Sequence, residues 1–501
     1  MKRITCYLLV GTLFLVGGCN SASKEQPATY TEDWVSLADH NEEPAWFQDA
    51  KFGIYFHWGV YSVPAFGDEW YPRNMHFEDR KEYQYHVDTY GPLSEFGYHD
   101  FVPMFKAEQF NAKQWADLFE KAGARFAGPV AEHHDGFSMW ASDVTPWNVG
   151  DKGPRRDITG ELKEAISARG MRLITTFHHA RNLQRYSGVE GEKDFWHSHY
   201  PLFEGSAPAS DDPELNYLYG NLPEEQWLEE VWFGKLKEVI DNYQPDIIWF
   251  DSWLDQIPEE YRKKFCAYYL NEAKKLDKEV VIVRKQDDLP LDVSVDDLEK
   301  SRKNKMGEKV WMTDETLSTG SWCYTENLQI KPAADVMHVL IDIVSKNGVL
   351  LLNISPKADG TIPEDQQDVL LKMGHWLDQY GEAIYETRPW HTYGEGPTVE
   401  PEGDFENHQE FLKIKYTTDD VRYTTKGNVI YAMILGVPDP SKPLLMKAFS
   451  PRSPGTEMTI KQVRVLGSDQ PVDWKLDENG LSIMPGYPVT DDMAQVFKIE
   501  I

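Results

Sequence analysis

From about residue 31 to 388, short apolar runs alternate with amphipathic stretches. The runs Phe52–His57, Phe126–Ala131, Arg172–Phe177, Asp246–Phe250, Glu279–Val283, Val310–Met312 and Val349–Ile354 are compact and bounded by polar or turn residues, which predicts strands. Between several of them, Lys113–Ala122, Gly160–Arg169, Pro223–Asn242, Pro258–Leu276, Ala333–Lys346 and Pro363–Tyr385 carry apolar positions at helical spacing. Strand–helix alternation at this spacing predicts a parallel sheet. Nearly every strand ends in polar residues: His57, Glu132-His133-His134-Asp135, His178-His179, Asp251, Arg284-Lys285-Gln286-Asp287 and Thr313-Asp314-Glu315. A doubly wound sheet gathers functional groups at one switch point, whereas a barrel rings them around one face. The polar tips therefore predict an α/β fold, a (β/α)8 barrel of the TIM type, over residues 31–388.

Beyond residue 389 the texture changes. Pro, Gly and Thr punctuate alternating segments such as Phe411–Tyr416, Val429–Ile434 and Thr459–Leu466, and no long helical pattern appears. Residues 389–501 read as a C-terminal β-sandwich domain, a structural appendage with carbohydrate binding as the alternative. The segment 183–222 lacks periodicity and is expected as a long loop over the barrel mouth. At the N-terminus, Lys2 and Arg3 precede an apolar run too short to remain as a membrane span. The ending Val16-Gly17-Gly18-Cys19 resembles the bacterial lipobox, so residues 1–19 are expected as a lipoprotein signal peptide with lipid attachment at Cys19. Residues 20–30 would then be a polar tether, and the protein an exported envelope lipoprotein that meets membrane only through its anchor.

Composition narrows the partners. A net charge of −31 argues against nucleic acid or an anionic membrane surface. Cys266 and Cys323 are the remaining body cysteines, too few for a disulfide framework. The chain also holds 17 Trp, 25 Tyr and 23 Phe, an aromatic excess that supplies stacking surfaces as well as a core. His57-Trp58 and Glu69-Trp70 set aromatic faces beside hydrogen-bonding groups, which suits the apolar face and polar edge of a sugar ring. His133 and His134, adjacent on an extended strand, would face opposite ways, so they are read as hydrogen-bonding groups and no metal or other cofactor is expected. Asp251 ends a buried-looking strand and would present its carboxylate at the barrel mouth.

Several separated motifs occur in one order: Lys51–Gly59 with Glu69-Trp70, His133–Phe137, Trp249-Phe250-Asp251, Gly348–Pro356 and Asp359–Pro363. On these residues the chain resembles the α-L-fucosidases of glycoside hydrolase family 29. The resemblance implies a retaining exo-fucosidase acting on fucosylated oligosaccharides or polysaccharides without a cofactor. Asp251 falls at the nucleophile position, and His57, Glu69, Trp70, His133 and His134 fall where the family binds fucose, with Trp249 flanking the nucleophile. The acid/base segment departs from the family: Met312 stands where many members have glutamate. Glu299 is the expected acid/base, with Asp297, Asp314 and Glu315 as rivals. The Asn-Asp-Arg sugar-contacting segment is also altered, to Val283-Arg284-Lys285-Gln286, so Arg284 or Lys285 is expected to supply the cation, with Arg284 taken as the sugar contact. A related glycosidase acting on galactose-configured sugars, and a glycan-binding lipoprotein without turnover, are the alternative functions.

Overall fold

The computed structural model describes residues 29–184, 198–202, 205–403, 408–452 and 459–501. The expected signal peptide, the lipid attachment at Cys19 and most of the tether lie outside the described residues, as does part of the expected mouth loop.

Eight parallel strands close into a barrel in sequence order: β1 (Phe52–Phe56), β2 (Phe126–Glu132), β3 (Arg172–Phe177), β4 (Ile247–Phe250), β5 (Val281–Arg284), β6 (Val295–Asp297), β7 (Trp311–Thr316) and β8 (Gly348–Ile354). Strand β8 pairs back onto β1, with Phe52 opposite Leu350 and Phe56 opposite Ile354. Seven of these strands follow the apolar runs; β6 does not. Val295-Asp296-Asp297 is three residues long and acidic, with no sequence signal beyond its isolated valine. The segments on either side of it, 285–294 and 298–310, contain no helix, so this side of the barrel is bare of the usual α layer.

Helices cover the rest of the barrel: Ala112–Lys121, Ile158–Ser167, Gly234–Tyr243, Glu259–Lys275, Ala333–Ser345 and Glu364–Tyr380. Their starts are legible locally. The Asn111 carboxamide accepts from the Lys113 and Gln114 amides, the Asp157 carboxylate accepts from Gly160, and Pro258, Pro332 and Pro363 occupy the N-cap positions of the last three helices. The two barrel faces separate into two apolar clusters. Tyr55, Phe126, Val130, Ile174, Ile247, Trp249, Val281, Val283, Val295, Met312, Val349 and Leu351 fill the interior. Their alternates, such as Ile54, Phe56, Ile248 and Ile282, join the core beneath the helices.

The C-terminal region forms two antiparallel sheets. The first has the order β13 (Gln462–Val465), β16 (Gln495–Glu500), β11 (Val429–Ile434), β10 (Val421–Lys426), β9 (Arg388–Glu395). The second is β12 (Leu444–Met446), β15 (Gly480–Ile483), β14 (Trp474–Asp477). The five-stranded sheet packs against the barrel helix Ala333–Ser345 through β9 and β10.

Candidate active site

The alternation that fills the barrel also aims its tips. Ile247 and Trp249 belong to the interior cluster, so two residues on Asp251 emerges at the mouth. The same count from Val283 reaches Lys285, from Val295 reaches Asp297 and Glu299, and from Met312 reaches Asp314. Tyr55 leads to His57, and Ile174 leads to His178. Asp251, Lys285, Glu299, Asp314, His57 and His178 line one cavity of about 440 Å³, together with Glu69, Trp70, His133, His134, Arg181, Ser252, Trp253 and Trp322.

Strand β2 reaches the mouth differently. Its pairing with β3 slips between Val130 and Glu132, and Glu132 turns away to meet Lys235 at 2.7 Å, both side chains fully buried. After this irregularity His133 and His134 both face the cavity, with ring centroids 4.6 Å apart. The expectation that adjacent histidines point to opposite faces is therefore corrected: they lie past the strand's end, where the two-residue alternation no longer holds.

Asp251 meets three basic side chains. Its Oδ1 lies 2.9 Å from Lys285 Nζ, and its Oδ2 lies 3.1 Å from His134 Nε2 and 3.2 Å from His178 Nδ1. Burial opposes its ionisation, but Lys285 and the two histidines hold its carboxyl well below the usual carboxylate range. Lys285 Nζ also lies 2.9 Å from Glu299 Oε2 and 3.7 Å from Asp314 Oδ2. Burial disfavours the ammonium, yet Asp251, Asp314, Glu299 and Asp297 together hold its pKa well above the usual lysine value. Beneath it, Tyr55 Oη donates to Asp314 Oδ2 at 2.9 Å. Burial, and then Asp314, push the neighbouring Asp297 carboxyl far up.

The sugar-type contacts are held by a second set of bonds. The Asn353 side-chain Oδ1 accepts from both the amide (2.9 Å) and Nδ1 (2.8 Å) of His57, which leaves the other ring nitrogen for a partner in the cavity. Burial, and then His178, keep His57 neutral, while burial pushes His134 down to about 4. Glu69 Oε2 accepts from the Trp322 amide at 3.1 Å and from the Ser321 hydroxyl at 3.3 Å, tying the loop after β1 to the loop after β7. The Trp70 ring packs 5.2 Å from His134, with the Arg181 guanidinium 4.5 Å from its centroid.

Two sequence expectations shift. Arg284 sits on the outward parity of β5 and is not in the cavity; it bonds the Leu289 carbonyl and reaches Asp287 at 3.0 Å, shaping the loop to β6. Lys285 occupies the cavity in its place, and counting in twos from Val281 and Val283 is the signal that would have selected it. Trp249 lies under the site, 5.0 Å below the Lys285 ammonium, and is not on its wall. Among the rivals of Glu299, Glu315 turns outward to Lys331 at 2.8 Å and Asp297 is buried below the cavity, while Asp314 lines it. His178, Arg181, Trp253 and Trp322 join the site from loops and strand ends not singled out as site residues in the sequence.

His57, His133 and His178 bring one nitrogen each within 4.8 Å of one another, a spacing compatible with a metal ion, and His134, His178 and a carboxylate oxygen of Asp251 do the same. In the second set the Lys285 ammonium already occupies Asp251 and would repel a cation. The first set, one of whose rings is fixed by Asn353, equally fits hydrogen bonding to hydroxyl groups, and no ion is assigned.

A barrel whose mouth pairs a buried, ion-paired carboxylate with a second carboxylate amid histidines and indoles is the apparatus of a glycoside hydrolase. The family profile described as Alpha-L-fucosidase matches residues 18–382, and that described as Alpha-L-fucosidase C-terminal domain matches residues 415–500. Human tissue α-L-fucosidase is 32% identical over 516 aligned residues, covering 98% of this chain and 96% of its own. Human plasma α-L-fucosidase is 32% identical, with 90% and 87% covered. The crystal structure of Thermotoga maritima α-fucosidase in complex with fucose superposes with a TM-score of 0.73 at 27% identity, covering 94% of this chain and all of that one. The chain belongs to the α-L-fucosidase family and is a glycoside hydrolase. The relatives also correct the expected localisation: human and macaque tissue and human plasma α-L-fucosidases are among the curated proteins that match, and they are not bacterial envelope lipoproteins.

Proposed function

We propose that this α-L-fucosidase removes terminal α-L-fucosyl residues from fucosylated glycans with retention of configuration. Asp251 attacks the anomeric carbon while Glu299 protonates the departing oxygen. Glu299 then deprotonates the water that cleaves the fucosyl-enzyme. One observation carries the reading: a single ammonium, Lys285 Nζ, touches Asp251 Oδ1 and Glu299 Oε2 at 2.9 Å each, so those oxygens are at most 5.8 Å apart (twice 2.9 Å). Retaining glycosidases hold their carboxyls about 5–5.5 Å apart, whereas inverting enzymes need roughly 6.5–9.5 Å to admit a water. The ionised state favoured for Asp251 suits a nucleophile. His57, Glu69, Trp70, His133 and His134 surround the same space and would bind the fucose, while Trp249 supports Lys285 from beneath. Nothing in the site favours a galactose-configured substrate or glycan binding without turnover.

The test is the azide product of two variants on an activated aryl fucoside. Glu299→Ala should lose most activity on natural glycans and, with azide, form α-L-fucosyl azide, because azide replaces the water. Asp251→Gly should abolish turnover and, with azide, form the β-anomer, because azide replaces the nucleophile. The opposite anomers, or near-normal activity in the Asp251 variant, would sink the assignment.

A further inference from the structure

Among the described residues, Lys285 is the charged group that touches both members of the carboxylate pair. It projects from the end of β5 toward Asp251 from β4, Glu299 from the segment after β6 and Asp314 from β7, at 2.9, 2.9 and 3.7 Å. Asp297 stands behind Asp314, and His57 and His178 close the β1 and β3 sides. The Trp249 and Trp322 rings flank the ammonium, with centroids at 5.0 and 5.9 Å, and its side chain is 7% exposed. A lysine suits this place better than an arginine, because a compact charge with three rotatable donors can face three carboxylates at once.

We propose that Lys285 is a charge-positioning residue that converts Glu299 from proton donor to proton acceptor between the two half-reactions. This rests on the roles proposed above for Asp251 and Glu299. In the first half-reaction an Asp251 oxygen bonds to the anomeric carbon as the glycosidic C–O bond breaks, and the Glu299 proton goes to the leaving oxygen. Asp251 thereby becomes a neutral ester. The ammonium, 2.9 Å from both carboxyls in the free enzyme, loses its ionic partner Asp251 and keeps the newly formed Glu299 carboxylate. Glu299 then takes a proton from water while the water oxygen bonds to the anomeric carbon and the ester C–O bond breaks. Asp251 recovers its charge, and with it the ammonium.

The test uses Lys285→Met and Lys285→Arg in the full chain with an activated aryl fucoside. In Lys285→Met the second half-reaction should slow by roughly the 10²–10⁴-fold that general base catalysis supplies. A pre-steady-state burst of phenol should appear, KM should fall with kcat, and the pH dependence of kcat should move to higher pH. Azide, which needs no base, should restore turnover, and Lys285→Arg, which keeps the charge but not its compact geometry, should slow the second half-reaction less than Lys285→Met does. A fall in kcat and kcat/KM together, without a burst, would reduce Lys285 to a structural role. A burst that azide does not relieve would place its effect on Asp251 as leaving group. Either result overturns the inference. Should Glu299→Ala itself fail to respond to azide, the assignment of Glu299 fails first, independently of Lys285.

Discussion

Glu69 and Asp135 carry protons at pH values where exposed carboxyls have lost them. Burial, and then Asp68, push Glu69 up to about 7, and burial raises Asp135 to about 7 although the Tyr98 hydroxyl donates to it at 2.6 Å. A carboxyl whose folded pKa lies above its unfolded value binds its proton more tightly in the folded state. Its contribution is complete below the unfolded pKa and is lost as pH rises through about 7. Asp251 has the opposite sign: its contribution exists above the ordinary carboxylate range and vanishes on strong acidification. The fold should therefore be most stable in mildly acidic solution, with a melting temperature that declines between about pH 4.5 and 7. Calorimetry across that range checks it, and Glu69→Gln, which cannot ionise, should flatten part of the decline. A melting temperature that rises with pH in both proteins would refute the assignment of these protons.

The elements show which parts of the molecule could be read from the chain. Seven barrel strands follow from short apolar runs, because both of their faces are buried, and the six covering helices follow from periodicity, because each buries one face. Strand β6 was not legible, since its three residues are held by neighbours and not by their own pattern: Val283 aligns with Val295, and Asp297 with Met312. Glu299 was found through resemblance, but its reach into the cavity depends on that unseen strand. The histidine pair was legible as chemistry and misread as geometry, because the slip in β2 follows from backbone pairing and not from side-chain pattern. Strand β2 also offers a sharp test. Gly128 lies where a Cβ would come within 1.7 Å of the Ile174 carbonyl oxygen on β3, and Pro129 next to it cannot donate to the ladder. Backbone cannot yield as a flexible side chain would, so Gly128→Ala should force β2 and β3 apart just below His133. Soluble yield and melting temperature should both fall sharply; a variant with the parent's melting temperature would show that the two strands approach less closely than this.

At the scale of the whole molecule, the C-terminal sheets reach back to the segment that carries Glu299. Asp342, on the barrel helix Ala333–Ser345, is fully buried and meets three cations: Arg422 of β10 at 2.6 Å, Lys346 at 2.8 Å and Arg302 at 3.4 Å. Lys346 and the Tyr416 hydroxyl both contact Glu400, and the Arg302 guanidinium lies 4.8 Å over the Phe411 ring. Arg302 is three residues beyond Glu299, and the Thr313 hydroxyl donates to the carbonyls of Leu298 and Ser301 on either side of that glutamate. The C-terminal sheet, the barrel helix and the Glu299 segment thus share one buried ionic cluster. Removing a single member of such a cluster leaves its partners desolvated and underpaired, at a cost of about 3–5 kcal/mol. Arg422 lies in the other domain from the cavity and lines none of it, so Arg422→Met acts on catalysis only through Arg302 and the placement of Glu299. A substrate with a poor leaving group needs the Glu299 proton, whereas an activated aryl fucoside departs largely without it. Arg422→Met should therefore lower kcat/KM on a fucosyl-oligosaccharide by tenfold or more and on the activated fucoside by much less. Equal losses on both substrates would mean that the domain interface supports only the fold, and no loss on either would sever it from the site altogether.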